Sequence, residues 1–267
     1  MTRIIVHAGF HKTATSSLQD FLQQNRAALK PYLDYYGKAD FQNAGARARL
    51  YGQRPFPWRR YQFRRALRRF LAGISDAGTI VLSRETFSGV MPGHRDIFRR
   101  TIAGYSKSAI PLAHDIVQEL QIRFGQASDI QFLYTTRAQS PWIRSVYGHL
   151  LRSIHLRDDF AGFRRKFVTL PDPETEAQVI AAALAPTAVF IARLEDFVDH
   201  PEGTAAALLD LADVPDQVRH NLLPARHQNR GQRPEIETQF LALNRSGQKK
   251  ADLKAAKEAI LQLEGRS

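Results

Sequence analysis

The segment HAGFHKTATSS, at residues 7–17, concentrates side chains that bind anions. Lys12 supplies a positive charge, and the segment lies between an apolar run and a helical pattern. The first-turn amides of that helix would point toward the same place, because a helix start leaves its N–H groups without internal acceptors. The pattern predicts an oxyanion site, although hydroxyl groups that only cap a helix would give the same letters. Four hydroxyl-bearing residues complete the segment: Thr13, Thr15, Ser16 and Ser17.

The same segment departs from the common nucleotide-binding loop, which reads G-x-x-x-x-G-K-[ST]. His11 stands where the last glycine of that pattern should be. No clear acidic residue stands at a strand end, where a magnesium ion would be held beside such a loop. A kinase of this class is therefore the first alternative rather than the preferred interpretation.

FHKTATSSLQ resembles the 5′-phosphosulfate loop of sulfotransferases that use 3′-phosphoadenosine 5′-phosphosulfate (PAPS). In the bacterial branch of that family the loop often reads H-K-T-G-T-[TS]-[ST]-L-Q, and Ala14 stands here in place of its glycine. The resemblance implies a P-loop nucleotide-kinase-like sulfotransferase fold and covers the chain in outline from its first strand to near Asn229. It also implies a set of donor-binding residues: His11, Lys12, Thr13, Ala14, Thr15, Ser16 and Ser17.

A second motif supports the resemblance. The family binds the donor's 3′-phosphate with an arginine that ends a strand and a serine eight residues later. TTRAQSPWIRSVYGHL places Arg137 and Ser145 at that spacing, and Tyr147 fits the usual S-x-Y. Ala138 and Gln139 replace the typical R-[ND]-P start. In the segment that begins at residue 226, Arg226 or Arg230 is a further candidate ligand of the 3′-phosphate, and Arg230 is the one we assign.

Sulfonate transfer of this kind needs a cation where charge develops and a base for the acceptor hydroxyl group. Lys12 is the predicted cation. Glu85, just past the predicted strand at 79–83, is the predicted base, and its alternative role is an ion pair with Arg84. The scheme requires no metal, and the chain has no cysteine and no convincing metal spacing among its nine histidines. Other candidate bases are His7, His11, His114 and His149.

The formal charge of +12 favours an anionic partner, such as a phosphate or sulfate ester, a polyanionic sugar or a nucleic acid. The run RPFPWRRYQFRRALRRF, at residues 54–70, is typical of an amphipathic helix whose arginines face solvent. One or two of these arginines are candidate contacts for the acceptor. A non-catalytic protein that binds polyanions or nucleic acid is the second alternative. It does not account for the paired motifs at 12–17 and 137–145, and we expect no nucleic-acid partner.

Short apolar runs predict strands at 4–7, 79–83, 130–136 and 187–192, alternating with helices. The expected helices run from Ser16 to Pro31, over 61–74 and 111–124, from an N-cap at Ser140, after Pro201 and from Pro234 onward. Residues 37–58 are expected to be irregular. Alternating strands and helices indicate an α/β fold with a central parallel sheet, and ligands of such sheets bind at the carboxyl ends of the strands.

We interpret residues 1–267 as a single domain, with variable acceptor-side segments at about 37–60 and 86–110. No run of apolar residues is long enough to span a membrane. The chain shows no secretory signal, so we expect a cytoplasmic protein. The predicted product of the donor is adenosine 3′,5′-bisphosphate. The predicted acceptor is a carbohydrate or small metabolite, which can itself be anionic.

Overall fold

Five parallel strands form the central sheet, in the order β2-β3-β1-β4-β5. This confirms the predicted α/β class and each of the four predicted strands. The additional strand, β2, has only the three residues DYY, which are too few to show a hydrophobic pattern. The strands are β1 (Arg3–His7), β2 (Asp34–Tyr36), β3 (Thr79–Ser83), β4 (Asp129–Thr136) and β5 (Ala188–Arg193).

The computed structural model describes residues 2–167, 170–225 and 234–264. The chain divides into two compact units. The first comprises residues 1–138 and 171–228 and contains the sheet, and the second comprises residues 139–170 and 229–267. The single domain that we predict over residues 1–267 stays a prediction.

Helices lie between the strands of the first unit and also occur in the second unit. Those of the described residues are α1 (Thr15–Gln24), α2 (Arg26–Leu29), α3 (Gln42–Gln53), α4 (Pro57–Ala72), α5 (Ser106–Phe124), α6 (Gln139–Ser153), α7 (Phe160–Arg165), α8 (Pro173–Leu184), α9 (Ala205–Leu211), α10 (Asp216–Arg219), α11 (Pro234–Arg245) and α12 (Lys250–Glu264). No helix in this part of the chain combines the length and the apolar character that crossing a bilayer requires.

One face of the sheet is buried under α1 and α9. Ile5, Val81 and Leu133 are the central residues of β1, β3 and β4 on this face, and all three are buried. Leu22 of α1 and Leu208 of α9 are fully buried against them. Burial of apolar side chains is the main favourable contribution to folding, so this cluster fixes the carboxyl end of β1 and the start of α1.

Several predicted helix boundaries are wrong. Residues 37–58 are not irregular, because α3 occupies 42–53. Ser140 is not an N-cap, since α6 begins at Gln139 and Pro141 is tolerated in the first turn, where its missing N–H would have no helical acceptor. Pro201 begins a turn, and α9 starts only at Ala205. Helix α5 starts five residues before 111, with Pro111 inside it.

The arginine-rich run forms α4, but its arginines do not simply face solvent. Arg60 donates to both carboxylate oxygens of Asp115 at 2.7 and 2.9 Å. Arg64 and Arg68 donate to Glu119 at 2.9 and 2.7 Å. Both carboxylates are buried on α5 at a spacing of four residues, which matches the arginine spacing on α4. This part of the run therefore pairs two helices.

The second unit contains α6, α7, α11 and α12. Lys257 of α12 is buried, and its ammonium group donates to the carbonyl oxygens of Leu151, Arg152 and Ile154 at 2.8, 3.2 and 3.0 Å. The last carbonyl groups of a helix have no internal donor, and a cation there is also favoured by the helix dipole. Lys257 thus caps the C-terminal end of α6.

Candidate functional site

The predicted anion-binding loop connects β1 to α1. Lys12 and Ala14 both have left-handed backbones, with φ of 70° and 66°, whereas Thr13 between them does not. Alternation of this kind turns successive backbone N–H groups toward one concave point, which is a known anion-binding geometry. Non-glycine residues adopt positive φ at a cost, and such strain persists where the surrounding structure or a function requires it.

Ala14 is the residue that immediately precedes α1. The amide of Leu18 donates to the Ala14 carbonyl at 3.1 Å, which is the first hydrogen bond of the helix. Amides before this point have no acceptor within a helix. The loop that this segment resembles has a glycine at the position of Ala14. A glycine adopts the left-handed φ found here without strain.

The loop hydroxyl groups divide into two classes. Thr13 and Thr15 are buried, and both donate to the carbonyl oxygen of Phe10, at 2.7 and 3.1 Å. They therefore hold the shape of the loop. Ser16 is exposed and Ser17 is half-buried in the first turn of α1, and Lys12 keeps part of its side chain accessible. His11 is also only partly buried, so the polar predicted ligands whose side chains keep accessible surface are His11, Lys12, Ser16 and Ser17.

A buried polar network supports the loop from below. His7, the last residue of β1, has Nδ1 2.8 Å from Ser83 Oγ and Nε2 3.3 Å from Thr135 Oγ1. Thr135 Oγ1 also lies 3.0 Å from Thr13 Oγ1. The network thus joins the ends of three neighbouring strands to the loop. Burial lowers the pKa of His7 to about 3, so its imidazole is neutral near pH 7.

Gly9 fits into this network because it has no side chain. A Cβ atom at position 9 would lie 2.5 Å from His7 Nε2 and 2.7 Å from the hydroxyl oxygens of Thr135 and Thr15. These atoms are held by hydrogen bonds and cannot move apart cheaply. The glycine of the loop is therefore required by packing.

Tyr105 holds the loop from its other side. Its hydroxyl oxygen accepts the backbone N–H of His11 at 3.1 Å, and its ring stacks on Phe10 with centroids 4.3 Å apart. Burial raises the pKa of Tyr105 well above its usual value, so the phenol stays protonated. Tyr105 belongs to the segment 86–110, which was predicted to be acceptor-side. Its contacts with His11 and Phe10 support the β1–α1 loop, and the acceptor-side role of the segment stays a prediction.

Glu85 follows β3 and begins a short 3-10 helix, Glu85–Ser88. The side chain is half-buried, and its negative charge acts on both Arg84 and Tyr105. Arg84 Nε donates to Thr86 Oγ1 at 3.1 Å. In the part of the chain that the structure describes, no ion pair joins Arg84 to Glu85. Because Glu85 comes just after β3, which runs parallel to β1, it lies at the same edge of the sheet as the loop.

Arg137 directly follows β4 and is half-buried, and burial lowers the pKa of its guanidinium group while Glu195 opposes that shift. It belongs to the first unit, whereas Ser145 lies on α6 in the second unit. Their joint action on a 3′-phosphate stays a prediction. The third predicted ligand of that phosphate, Arg230, lies outside the described residues, as does Arg226.

No model of a known protein family matches the chain, and no curated protein matches it. Among solved structures, the chain is similar to the crystal structure of a sulfotransferase from Alicyclobacillus acidocaldarius. The two are 15% identical, the alignment covers 97% of this chain and 96% of that chain, and the TM-score is 0.46.

The histidines considered as alternative bases differ in position. His7 is fully buried with both ring nitrogens in contact with hydroxyl groups, so it cannot touch an acceptor. His11 has its pKa lowered, first by burial and then by the charges of His94, Arg49, Lys12 and Arg84. His114 is exposed on α5, and His149 lies on α6 in the second unit. Within the described residues, no three His, Cys, Asp or Glu side chains form a group suited to a metal ion.

Sequence reasoning missed several residues of this site, namely Ser83, Tyr105 and Thr135 as supports and Arg84 as a cation. Small polar residues at the carboxyl ends of β3 and β4 were the available signal for Ser83 and Thr135, since buried strand interiors are otherwise apolar. Tyr105 gave no signal, because it lies 94 residues from its partner His11 in the sequence.

Proposed function

We propose that this protein is a sulfotransferase that moves a sulfonate group from PAPS to a hydroxyl group of an acceptor. The observation that carries the proposal is the backbone of the β1–α1 loop. Its alternating φ signs at Lys12, Thr13 and Ala14 create an oxyanion cradle at a helix start, with an ammonium group beside it. The letters of this loop are those in which the chain resembles PAPS-dependent sulfotransferases.

The residues present fit the donor in kind. The loop would receive the 5′-phosphosulfate, and Arg137 would receive the 3′-phosphate, while Ser145 and Arg230 stay predicted ligands of the same group. Bound PAPS supplies an activated sulfonate group on a phosphate leaving group. Ser16 and Ser17 would donate to the phosphosulfate oxygens, while Thr13 and Thr15 keep the loop in shape through the Phe10 carbonyl.

The chemical step assigns separate roles to two charged residues. The acceptor oxygen forms a bond to sulfur while the bond from sulfur to the bridging oxygen breaks. Glu85 takes the proton of the acceptor hydroxyl group, and adenosine 3′,5′-bisphosphate leaves with the bridging oxygen. The Lys12 ammonium group stabilises the charge that develops on that oxygen, which is an interaction stronger in the transition state than in the ground state.

The two alternatives differ from this proposal in what they bind. A P-loop kinase would bind ATP with magnesium in preference to the bisphosphate. A polyanion-binding protein would lose affinity steeply with salt and retain it in Lys12→Ala. The pairing of Arg60, Arg64 and Arg68 with buried carboxylates reduces the positive surface that such a protein would offer. A carbohydrate or small-metabolite acceptor and a cytoplasmic location remain parts of our proposal.

Calorimetric titration tests the proposal directly. Adenosine 3′,5′-bisphosphate, ATP and 5′-AMP are each titrated into the protein in EDTA. We expect tight metal-free binding of the bisphosphate alone. Arg137→Ala should selectively weaken binding of the bisphosphate, and an equal loss of affinity for 5′-AMP would refute the 3′-phosphate assignment.

Lys12→Ala should abolish turnover with PAPS, whereas Lys38→Ala, at an exposed lysine, serves as the matched control. No preference for the bisphosphate over ATP would overturn the proposed function.

A further inference from the structure

Arg84 is a partly buried cation at the edge of the sheet where the loop lies. Its backbone N–H donates to the carbonyl of His7 at 3.0 Å, which fixes it next to the end of β1. Its Nη1 atom is buried and has no hydrogen-bond partner among the described residues. A buried N–H group that lacks an acceptor costs free energy, and a charged one costs more. The fold therefore retains an arginine here at a cost.

Helix α3 holds this guanidinium group from one side. A Cβ atom at Gly45 would lie 3.0 Å from Cζ and Nη2 of Arg84, so the guanidinium group rests directly against the helix backbone. Arg49 lies four residues further along α3, on the same helix face as Gly45. The Arg49 side chain is exposed, and its positive charge lowers the pKa of the Arg84 guanidinium group after the larger effect of burial.

The sheet order separates two sides of the loop. Strands β3 and β4 flank β1, so Arg84 and Glu85 follow the strand on one side and Arg137 follows the strand on the other. In the proposed function the nucleotide extends from the loop toward Arg137. The side of β3 and α3 is then left for the acceptor, where the predicted base Glu85 also lies.

We propose that the acceptor carries an anionic group, a carboxylate or a sulfate ester, which Arg84 and Arg49 bind next to Glu85. This inference rests on the proposed sulfonate transfer and specifies its acceptor class. A guanidinium group matches the two oxygens of a carboxylate or sulfate, and hydrogen bonds between charged groups are stronger than neutral ones. Lys12 adds positive charge near the same loop, as its effect on the pKa of His11 shows.

Matched acceptors test this inference. Pairs of hydroxylated compounds that differ in one charged group, such as 4-nitrophenyl β-D-glucuronide and 4-nitrophenyl β-D-glucoside, are screened for transfer from PAPS. We expect the anionic member of at least one pair to have a kcat/KM about tenfold or more above its neutral partner. In Arg84→Gln that ratio should fall toward one, and Arg84→Lys should retain part of it.

Two further variants separate charge from position. Gly45→Ala keeps the charge of Arg84 but displaces its guanidinium group, so the ratio should fall as it does in Arg84→Gln. Arg65→Gln removes the same charge from an exposed position of α4 and should leave the ratio unchanged. Circular dichroism and the melting temperature verify that each variant is folded.

The outcomes separate this inference from the proposed function. If the wild-type protein fails to bind adenosine 3′,5′-bisphosphate in the titration above, both are overturned. If it binds the bisphosphate but no anionic compound is preferred to its neutral partner, or none is sulfonated, the anionic acceptor is refuted and the donor assignment stands. A preference that survives in both Arg84→Gln and Gly45→Ala also refutes the role of Arg84.

Discussion

The imidazole Nδ1 of His7 lies 2.8 Å from the hydroxyl oxygen of Ser83, and the two residues are partners in register at the carboxyl ends of β1 and β3. Gln19 of α1 donates to the carbonyl and hydroxyl oxygens of the same serine at 3.1 and 3.2 Å. Strand ends and the first helix are thereby held together by polar contacts directly below the loop. A loop whose function is to present preorganised donors requires such a rigid support.

The buried His7 should make the stability of the protein depend on pH. Its pKa is about 3 in the folded protein and near the ordinary 6.5 in the unfolded chain, so only the unfolded chain takes up the proton between these values. Stability should therefore fall as pH falls below 6.5. The expected contribution of His7 between about pH 7.5 and about pH 5 is roughly 2 kcal/mol. Urea unfolding over this range measures it.

His7→Gln is the comparison that isolates this contribution, because the low pKa values of His11 and His94 act in the same direction. The variant should be less stable near pH 7 but should lose less stability on acidification than the wild type. Equal pH dependence in the two proteins would show that His7 does not titrate on unfolding.

Glu85→Gln should stop sulfonate transfer while leaving donor binding intact. The amide is nearly isosteric with the carboxylate but cannot accept the acceptor's proton. The expected loss in kcat is about 10²- to 10⁴-fold. Steady-state assays with PAPS measure turnover, and titration with adenosine 3′,5′-bisphosphate measures binding. Glu174→Gln, at an accessible residue of α8, is the matched control. Normal turnover in Glu85→Gln would reject this residue as the base and redirect attention to the histidines.

Ala14→Gly should preserve or increase stability, although glycine usually weakens helix interiors. The left-handed φ of 66° at Ala14 is unfavourable for a residue with a Cβ atom. Removing that penalty, of about 1–2 kcal/mol, outweighs the greater freedom of glycine in the unfolded chain, and the expected gain is at most about 1 kcal/mol. Ala46→Gly, at an exposed position inside α3, should instead lose about 1 kcal/mol. Chemical denaturation of both variants measures the difference, and equal losses would contradict the assignment of strain.

The strands and the loop could be predicted because their signals are local. Apolar runs such as IIV and IVL precede loops of polar residues, and these patterns occur within a few residues. The prediction failed at residues 37–58, where the abundance of Gly, Pro, Arg and aromatic residues was taken to indicate irregular structure. Gly45 and Gly52 both lie inside α3, where other parts of the chain approach the helix backbone. A Cβ atom at Gly52 would lie 2.7 Å from the amide nitrogen of Val90.

The candidate site was predictable to the same extent. Lys12 lies in the segment that follows β1 and Glu85 in the segment that follows β3, and neighbouring parallel strands bring both segments to one edge of the sheet. The supports could not be predicted, because Thr135 lies 122 residues from Thr13 and its only role is spatial. The partners of the arginine run were missed for a related reason. Their matching spacing on α4 and α5 becomes meaningful only when the two helices are known to pack.

Glu119→Gln should destabilise the protein through the pairing of α4 and α5. The Glu119 side chain is fully buried and receives N–H groups from Arg64 and Arg68 at 2.7–2.9 Å. A neutral amide would leave the two arginines without their carboxylate. Its own N–H groups would also face the N–H groups of the guanidinium groups. The expected cost is about 2–3 kcal/mol in the free energy of unfolding, measured by urea denaturation.

Asp76→Asn breaks a pair with Arg123 in which the aspartate is largely exposed, and it should cost less than about 1 kcal/mol. Similar small losses in both variants would show that the arginines of α4 are independent of α5, and would make them available again as ligands for a polyanion.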